Sequence, residues 1–148
     1  MHLVFAAAES LGLSVRAASL PAGLLGAYYA DHRRILIDRR LTPEEEVETL
    51  AHEIGHAVLG HDRLDDPRFE AEADTFAARM LVDSAEYERL ERLQLCAHDI
   101  AEDLGVTLPI LEAFRAQLGR DTFVTRAAAR LRERCTSPAG GLHAPLGG

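Results

Sequence analysis

Most of the chain carries apolar residues at helical spacing, and short apolar runs typical of β-strands occur only near its beginning. A first helix is predicted over residues 2–11, where Gly12 ends it. Three strand-like runs follow, separated by Pro21, Gly23 and a polar turn, and they cover residues 13–20, 24–30 and 34–38. These runs predict a small sheet, but the pattern does not give the pairing of its strands.

The helical part of the chain begins with a strong N-terminal signal. Thr42 suits an N-cap, Pro43 suits the first helical position, and Glu45 completes a Thr-x-x-Glu capping box. We expect this helix to end near Leu59, because Gly60 follows. Further helices are predicted over residues 66–82, 84–104 (capped by Ser84 and interrupted near Leu95), 107–118 and 121–135.

These elements predict an α+β fold, in which a small N-terminal β-sheet packs on a mostly helical domain with a helical C-terminal part. The length of 148 residues and the apolar fraction of 47% are typical of one globular domain, which we expect to span residues 1–135. The tail over 136–148 is rich in Gly, Pro, Ser and Ala and is predicted to be disordered. No apolar run approaches the ~20 residues of a membrane span, so no membrane association is expected.

Charge and cysteine content narrow the classes of function. The formal net charge of −8 disfavours direct nucleic-acid binding, because that affinity comes largely from cations placed against phosphates. The two cysteines, Cys96 and Cys135, form no CxxC motif, and Cys96 is predicted to be a small core residue. The apolar N-terminus has no basic leader and is interrupted by Glu9, so a signal peptide is not predicted and a cytoplasmic location is expected.

One motif inside the helix that begins at Pro43 indicates a metal-binding catalytic site, and its sequence is His52-Glu53-Ile54-Gly55-His56. Residues four apart share one helix face, so the imidazoles of His52 and His56 can reach a single metal ion. Neutral imidazoles suit Zn²⁺, and a catalytic zinc keeps three protein ligands and one open position. Glu53 projects beside that face, where its carboxylate can take a proton from the attacking water.

The third ligand is expected on the next helix. On a helical wheel of ~100° per residue, Glu70 at ~100° and Asp74 at ~140° lie within the apolar arc or at its edge. Glu72, at ~300°, lies outside the arc beside Arg79 and stays open as an alternative ligand. A carboxylate on a buried face is costly unless it is paired or binds a metal, so Glu70 is the predicted third ligand. Asp74 is placed to accept the free N–H of a ligating imidazole and so fix its tautomer.

The segments HEIGHAVLGH over residues 52–61 and EAEADTFAA over residues 70–78 resemble the ImmA/IrrE family of metallopeptidases. The resemblance covers roughly residues 1–118 and implies a zincin-like fold with a gluzincin-like site, in which two histidines and one glutamate hold Zn²⁺. It also implies a protein substrate, because members typically cleave a cognate helix-turn-helix repressor and thereby induce a mobile element, a prophage or a stress regulon. Asp83 stands where the family often has a proline, which affects the exit of the second metal-site helix and not the site.

Two further patterns leave alternatives open. Residues 100–118 resemble a helix-turn-helix, but Glu102 and Asp103 would repel phosphates, so we expect ordinary helical packing beneath the metal site. His61 fits no three-histidine ligand spacing and is expected to be a polar loop residue at the rim of the site.

The leading interpretation is a cytoplasmic zinc metallopeptidase. Its alternative is a DNA-associated or partner-binding regulator with a structural or vestigial zinc site.

Overall fold

The computed structural model describes residues 2–63 and 65–121 of the chain. Its elements, in chain order, are helix α1 (His2–Ser10), strands β1 (Ser14–Ala18) and β2 (Gly26–Tyr29), a 3₁₀ turn (Ala30–His32), strand β3 (Arg34–Asp38), and helices α2 (Pro43–Leu59), α3 (Pro67–Leu81), α4 (Ser84–Arg92), α5 (Ala97–Leu104) and α6 (residues 108–121). A small sheet followed by a run of helices is an α+β fold, which confirms the predicted class.

The chain separates into two compact units, Met1–Ala116 and Gln117–Gly148. The first unit contains the sheet, helices α1 to α5 and the beginning of α6, and it holds the site considered below. Of the second unit the structure describes residues 117–121, which are helical. The predicted domain end at residue 135 and the tail over 136–148 lie outside the described residues, as does the helix predicted over 121–135 beyond its first residue.

The sheet has the strand order β1-β3-β2, with β1 parallel to β3 and β2 antiparallel to it. The central strand is the most apolar of the three, and its Ile35 and Ile37 are fully buried. Strand β2 is therefore an edge strand. The first two strands are shorter than the predicted runs. The second run loses Leu24 and Leu25, which lie before β2 with 42% and 50% of their surface exposed.

Helix α2 has the bounds and the caps that the sequence predicts. The Glu45 backbone N–H donates to the Thr42 hydroxyl at 3.3 Å, and the Thr42 N–H donates to the Glu45 carboxylate at 2.8 Å. Gly60 ends the helix in the left-handed conformation, with φ of 70°. The middle of α2 lies in the core, where its buried apolar residues are Leu50, Ala51 and Ile54.

The helices after α3 agree with one detail of the prediction and correct two. Helices α4 and α5 are separate, with a break over residues 93–96 that includes the predicted interruption at Leu95. The N-cap of α4 is Asp83 and not Ser84, because the Asp83 carboxylate accepts the Glu86 N–H at 2.9 Å. Cys96 is exposed and not a core residue, since it occupies the N-cap position of α5 outside the apolar cluster.

The helix-turn-helix-like segment forms two helices, α5 and α6, joined at Gly105. Ile100 and Leu111 from the two helices are fully buried in the common core, which agrees with ordinary helical packing. Glu48 of α2 accepts the backbone N–H of Thr107 at 2.6 Å and its hydroxyl at 2.7 Å, immediately before α6. A carboxylate at this helix start opposes the approach of a phosphate. No helix in the described part of the chain is both long and apolar enough to cross a membrane.

Candidate metal centre

Helix α2 presents two histidines one turn apart, and a glutamate of α3 meets both of them. The Nε2 atoms of His52 and His56 lie 3.0 Å apart. The Glu70 carboxylate lies 3.2 Å from Nε2 of His52 through Oε2 and 3.4 Å from Nε2 of His56 through Oε1. Across the described residues, these three side chains form the cluster that could hold a metal ion, with their ligand atoms all within 4.8 Å of one another.

The spacing of these donor atoms fits a zinc ion. Zinc binds imidazole nitrogen and carboxylate oxygen at ~2.0–2.2 Å, so two donors on a tetrahedral shell are ~3.3 Å apart. The closest donor atoms of each pair of side chains are 3.0, 3.2 and 3.4 Å apart, and Glu70 contacts His52 through Oε2 and His56 through Oε1. The three side chains therefore form a ligand triangle of about that size, with one ligand atom of each within 4.8 Å of the others. Three protein donors of this kind leave one position of the tetrahedron open, which is characteristic of catalytic zinc sites.

Close packing of α2 against α3 brings Glu70 within reach of the histidines. A Cβ atom at Gly55 would lie 3.2 Å from Cα of Ala73 and 3.2 Å from Cβ of Phe76, so the glycine lets the two backbones approach. The sequence argument for Glu70 relied on a buried helix face, but 46% of its side chain is exposed. The contact between the helices, and not burial of the carboxylate, therefore accounts for its position.

Each histidine of the cluster has a partner at its other ring nitrogen. Nδ1 of His52 is 2.8 Å from Oδ1 of Asp74, which gives this imidazole a carboxylate partner. Nδ1 of His56 is 2.9 Å from Nδ1 of His61. Nε2 of His61 is in turn 2.9 Å from Oε2 of Glu72. Both histidines are thus held by hydrogen bonds on the side that faces away from the cluster.

Glu53 packs against strand β2, and only 6% of its surface is exposed. The backbone N–H of Tyr28 donates a hydrogen bond to its carboxylate. Gly26 makes room for it, because a Cβ atom at that position would lie 3.0 Å from Oε1 of Glu53 and 2.5 Å from Cγ2 of Thr49. The carboxylate therefore occupies a narrow space between α2 and the edge strand.

The surroundings of Glu53 bring its pKa close to neutral pH. Burial raises the pKa of Glu53 to about 7, and the charge of Glu70 contributes in the same direction. The charge of His52 and the Tyr28 hydrogen bond oppose that rise. A carboxyl group with a pKa near neutral can take up and release a proton there, as general acid–base chemistry requires.

The pKa values of the two histidines of the cluster are shifted in opposite directions. Burial lowers the pKa of His52, but the hydrogen bond to Asp74 and the nearby carboxylates outweigh it, so the pKa lies above 6.5. Burial and the neighbouring His52 lower the pKa of His56. Neutral imidazole is the form that binds a metal, so the surroundings of His56 favour the binding form.

A cleft of about 370 Å³ opens beside the cluster, between the end of β2 and the end of α2. Its lining consists of Tyr28, Tyr29, Ala30, Asp31, His32, His56, His61, Asp62 and Arg63. One wall is thus the end of the edge strand, and another contains a histidine of the cluster. The cleft gives a ligand access to this side of the centre.

The structure brings the predicted site residues into one place: His52, His56 and Glu70 form the cluster, Glu53 lies beside it on α2, and Asp74 contacts it from α3. All five lie on two helices that follow each other in the chain; helical periodicity groups the residues within each helix, and the packing of α2 on α3 joins the two groups.

Sequence reasoning missed the contact between His61 and Glu72. The sequence pattern predicts His61 as a polar loop residue at the rim of the site and groups Glu72 with Arg79, whereas in the structure His61 contacts Glu72 and only 3% of its side chain is exposed. The sequence signal that indicates this contact is Gly60. A glycine in the left-handed conformation at a helix end reverses the chain, so the His61 N–H donates to the carbonyl of His56 at 3.0 Å.

Comparisons with known proteins agree with this architecture. A family model, Peptidase_M78, described as the IrrE N-terminal-like domain, matches residues 8–114. Among solved structures, a Mycobacterium tuberculosis transcriptional regulator is similar, with a TM-score of 0.56 and 17% sequence identity over 75% of this chain. This chain spans 39% of that protein, and at this identity the likeness concerns the fold alone. None of the curated proteins matches the chain.

Proposed function

The chain belongs to the Peptidase_M78 family of IrrE N-terminal-like domains, and from this premise we propose that it is a zinc-dependent endopeptidase. His52, His56 and Glu70 are the proposed zinc ligands, and Glu53 is the proposed catalytic residue. The observation that carries the proposal is the ligand triangle next to a buried carboxylate: the two histidine Nε2 atoms are 3.0 Å apart, and the Glu70 carboxylate reaches them at 3.2 and 3.4 Å.

The proposed reaction divides the chemistry between the ion and the chain. A bound zinc ion supplies Lewis acidity, which polarises a peptide carbonyl and makes water a better nucleophile. Glu53 takes a proton from the attacking water onto its carboxylate and passes it to the nitrogen of the leaving amine. Asp74 accepts the N–H of His52 at Nδ1, which leaves the lone pair on Nε2 free for the ion.

The substrate that we propose is a protein segment in extended conformation. Strand β2 is an edge strand beside the cluster, and an extended peptide can add to such an edge through backbone hydrogen bonds. The resemblance to ImmA/IrrE peptidases favours a helix-turn-helix repressor in the cytoplasm, whose cleavage would relieve repression. Direct nucleic-acid binding is not part of this proposal, because the chain carries a net charge of −8.

Elemental analysis tests the zinc ligands. Wild type, Glu70→Ala and Glu88→Ala are purified without added metal, and Glu88, an exposed glutamate of α4, provides the matched control. We expect about one zinc ion per chain in wild type and in the control, and little in Glu70→Ala, because a charged donor is lost. Zinc retained by Glu70→Ala would remove Glu70 from the ligand set. A wild type that takes up no zinc, even from added salt, contradicts the metal centre.

Peptide cleavage tests the catalytic role of Glu53. Zinc-loaded wild type and Glu53→Gln are incubated with a mixed peptide library, and the cleaved bonds are identified by mass spectrometry. We expect turnover to fall about 10²- to 10⁴-fold in the variant while its zinc content stays that of wild type. In a second experiment, the enzyme is added to a native protein extract and the newly formed N-termini are labelled and identified. The identified proteins then show whether the substrate is a helix-turn-helix repressor. A wild type with full zinc and no cleavage would favour a non-catalytic regulator.

A further inference from the structure

His61 is a buried imidazole that lies outside the ligand triangle. Its side chain is 3% exposed, and its ring stacks on the ring of Phe69 with centroids 4.2 Å apart and planes 7° from parallel. His61 faces Nδ1 of His56, whereas the triangle is formed around Nε2 of the same ring. It therefore cannot join the same ion as a fourth ligand without leaving its present contacts.

When His61 is neutral and Glu72 is ionised, the two hydrogen bonds of His61 are compatible with only one placement of the ring protons of His61 and His56. A carboxylate only accepts, so the proton of His61 lies on Nε2 and is donated to Glu72 at 2.9 Å. Nδ1 of His61 then carries a lone pair and accepts from Nδ1–H of His56 at 2.9 Å. With its proton on Nδ1, His56 presents the lone pair of Nε2 to the triangle.

We propose that His61 and Glu72 are positioning residues that hold His56 in the tautomer and orientation that bind zinc. The inference rests on the metal centre of the proposed function and assigns it an outer pair of residues that the ligand motif does not contain. Asp74 contacts His52 directly, whereas the carboxylate of Glu72 acts on His56 through an intervening imidazole.

The local structure keeps this pair in place. Gly60 adopts the left-handed conformation with φ of 70°, and the chain then returns so that the His61 N–H reaches the carbonyl of His56. Phe69 and Glu72 are both on α3, where they contact the face and the far nitrogen of the His61 ring. The same helix carries Glu70, so a displacement of α3 would disturb the ligand and the outer pair together.

Zinc affinity of matched variants tests the inference. His61→Phe keeps a flat ring for Phe69 but removes both nitrogens, which leaves the His56 N–H buried without an acceptor. His61→Asn keeps an acceptor close to the position of Nδ1. Competition with a chromophoric chelator for Zn²⁺ is expected to give an affinity about 10- to 100-fold weaker for His61→Phe, and within about 5-fold of wild type for His61→Asn.

Glu72→Ala is expected to weaken zinc binding about 10-fold, while the control Glu88→Ala leaves it unchanged. Far-ultraviolet circular dichroism of each variant before zinc is added separates loss of the site from loss of the fold. Wild-type affinity in a folded His61→Phe variant overturns the inference. Equal losses in His61→Phe and His61→Asn also overturn it, because packing rather than the hydrogen bond would then explain the effect.

Ring NMR gives a readout that packing alone would not change. Long-range proton–nitrogen spectra of zinc-loaded wild type are expected to show the proton of His61 on Nε2 and that of His56 on Nδ1. A proton of His61 on Nδ1 overturns the inference while leaving the metal centre intact. Zinc binding with the expected tautomers but without peptide cleavage contradicts the proposed peptidase activity alone. A wild type that binds no zinc overturns both.

Discussion

At the scale of single residues, Gly26 determines how closely strand β2 approaches the carboxylate of Glu53. A Cβ atom at position 26 would lie 2.5 Å from Cγ2 of Thr49, closer than real Cβ contacts, and 3.0 Å from Oε1 of Glu53, tighter than most of them. A side chain there must displace one of them, although Gly26 is far from the proposed zinc ligands in sequence.

Gly26→Ala is therefore expected to lower turnover while zinc content stays that of wild type. Overpacking of this kind destabilises a fold by about 1–3 kcal/mol, which urea denaturation measures. Gly119→Ala is the matched control, because a Cβ atom at Gly119 would meet nothing within 4 Å. Wild-type turnover in Gly26→Ala would show that the position of Glu53 does not depend on this contact.

The residues that could be predicted are those whose partners are near in sequence. His52 and His56 are one turn apart, and Thr42 and Glu45 form a capping box within one helical turn. The donation from Tyr28 to Glu53 could not be predicted, because it depends on how a strand earlier in the chain returns against α2.

At the scale of elements, the packing of α2 on α3 assembles the candidate metal centre. The two helices pack closely at Gly55, where an added Cβ would be 3.2 Å from Cα of Ala73, a backbone atom that cannot turn aside. The helices must therefore separate or tilt to admit a larger side chain. Because α3 carries Glu70, such a movement would also alter the ligand triangle.

Gly55→Val is expected to weaken zinc binding and to destabilise the protein by about 1–3 kcal/mol. Zinc affinity is measured by chelator competition and stability by urea denaturation, with Gly119→Val as the control for a β-branched residue in an uncrowded helix position. If Gly55→Val bound zinc like wild type, the close approach would not be what positions Glu70.

Helices were easier to predict than strands in this chain, for a physical reason. The caps of α2 are local signals, and both its ends agree with the prediction. The pairing of β1 with β3 is parallel and joins segments with a whole strand between them, so no local pattern specifies it. Apolar Leu24 and Leu25 extended the predicted second run into a turn, because apolar character alone does not distinguish a strand from an exposed loop.

At the scale of the whole molecule, the stability of the fold in acid depends on Asp38, the last residue of strand β3. Its carboxylate accepts from the Arg40 side chain at 2.8 Å and from the Arg40 backbone N–H at 2.9 Å, and it also accepts the Leu20 N–H at 3.3 Å. These hydrogen bonds, that of the Arg40 side chain above all, hold the pKa of Asp38 well below its ordinary value of 3.8.

Asp38→Asn is expected to lower stability near neutral pH and to flatten its decline in acid. A carboxyl group whose pKa is lowered by folding stabilises the protein above its unfolded pKa of 3.8, and this contribution is lost as pH falls through the lower folded value. Urea denaturation near neutral pH and at about pH 4 and about pH 3 measures the difference. Asp31→Asn, at an exposed position, is the control. An unchanged acid profile in Asp38→Asn would contradict this role.

The brevity of strand β2 has a consequence for how the proposed protein substrate would be recognised. An edge of four residues, Gly26–Tyr29, can form only a short ladder of backbone hydrogen bonds, and the Tyr28 N–H is already bonded to Glu53. Short edges also protect a protein from pairing with its own copies. We therefore expect the cleaved segment to contribute little of the selectivity. Discrimination among proteins would then reside in surfaces remote from the scissile bond, and short peptides of different sequence would be cleaved at similar rates.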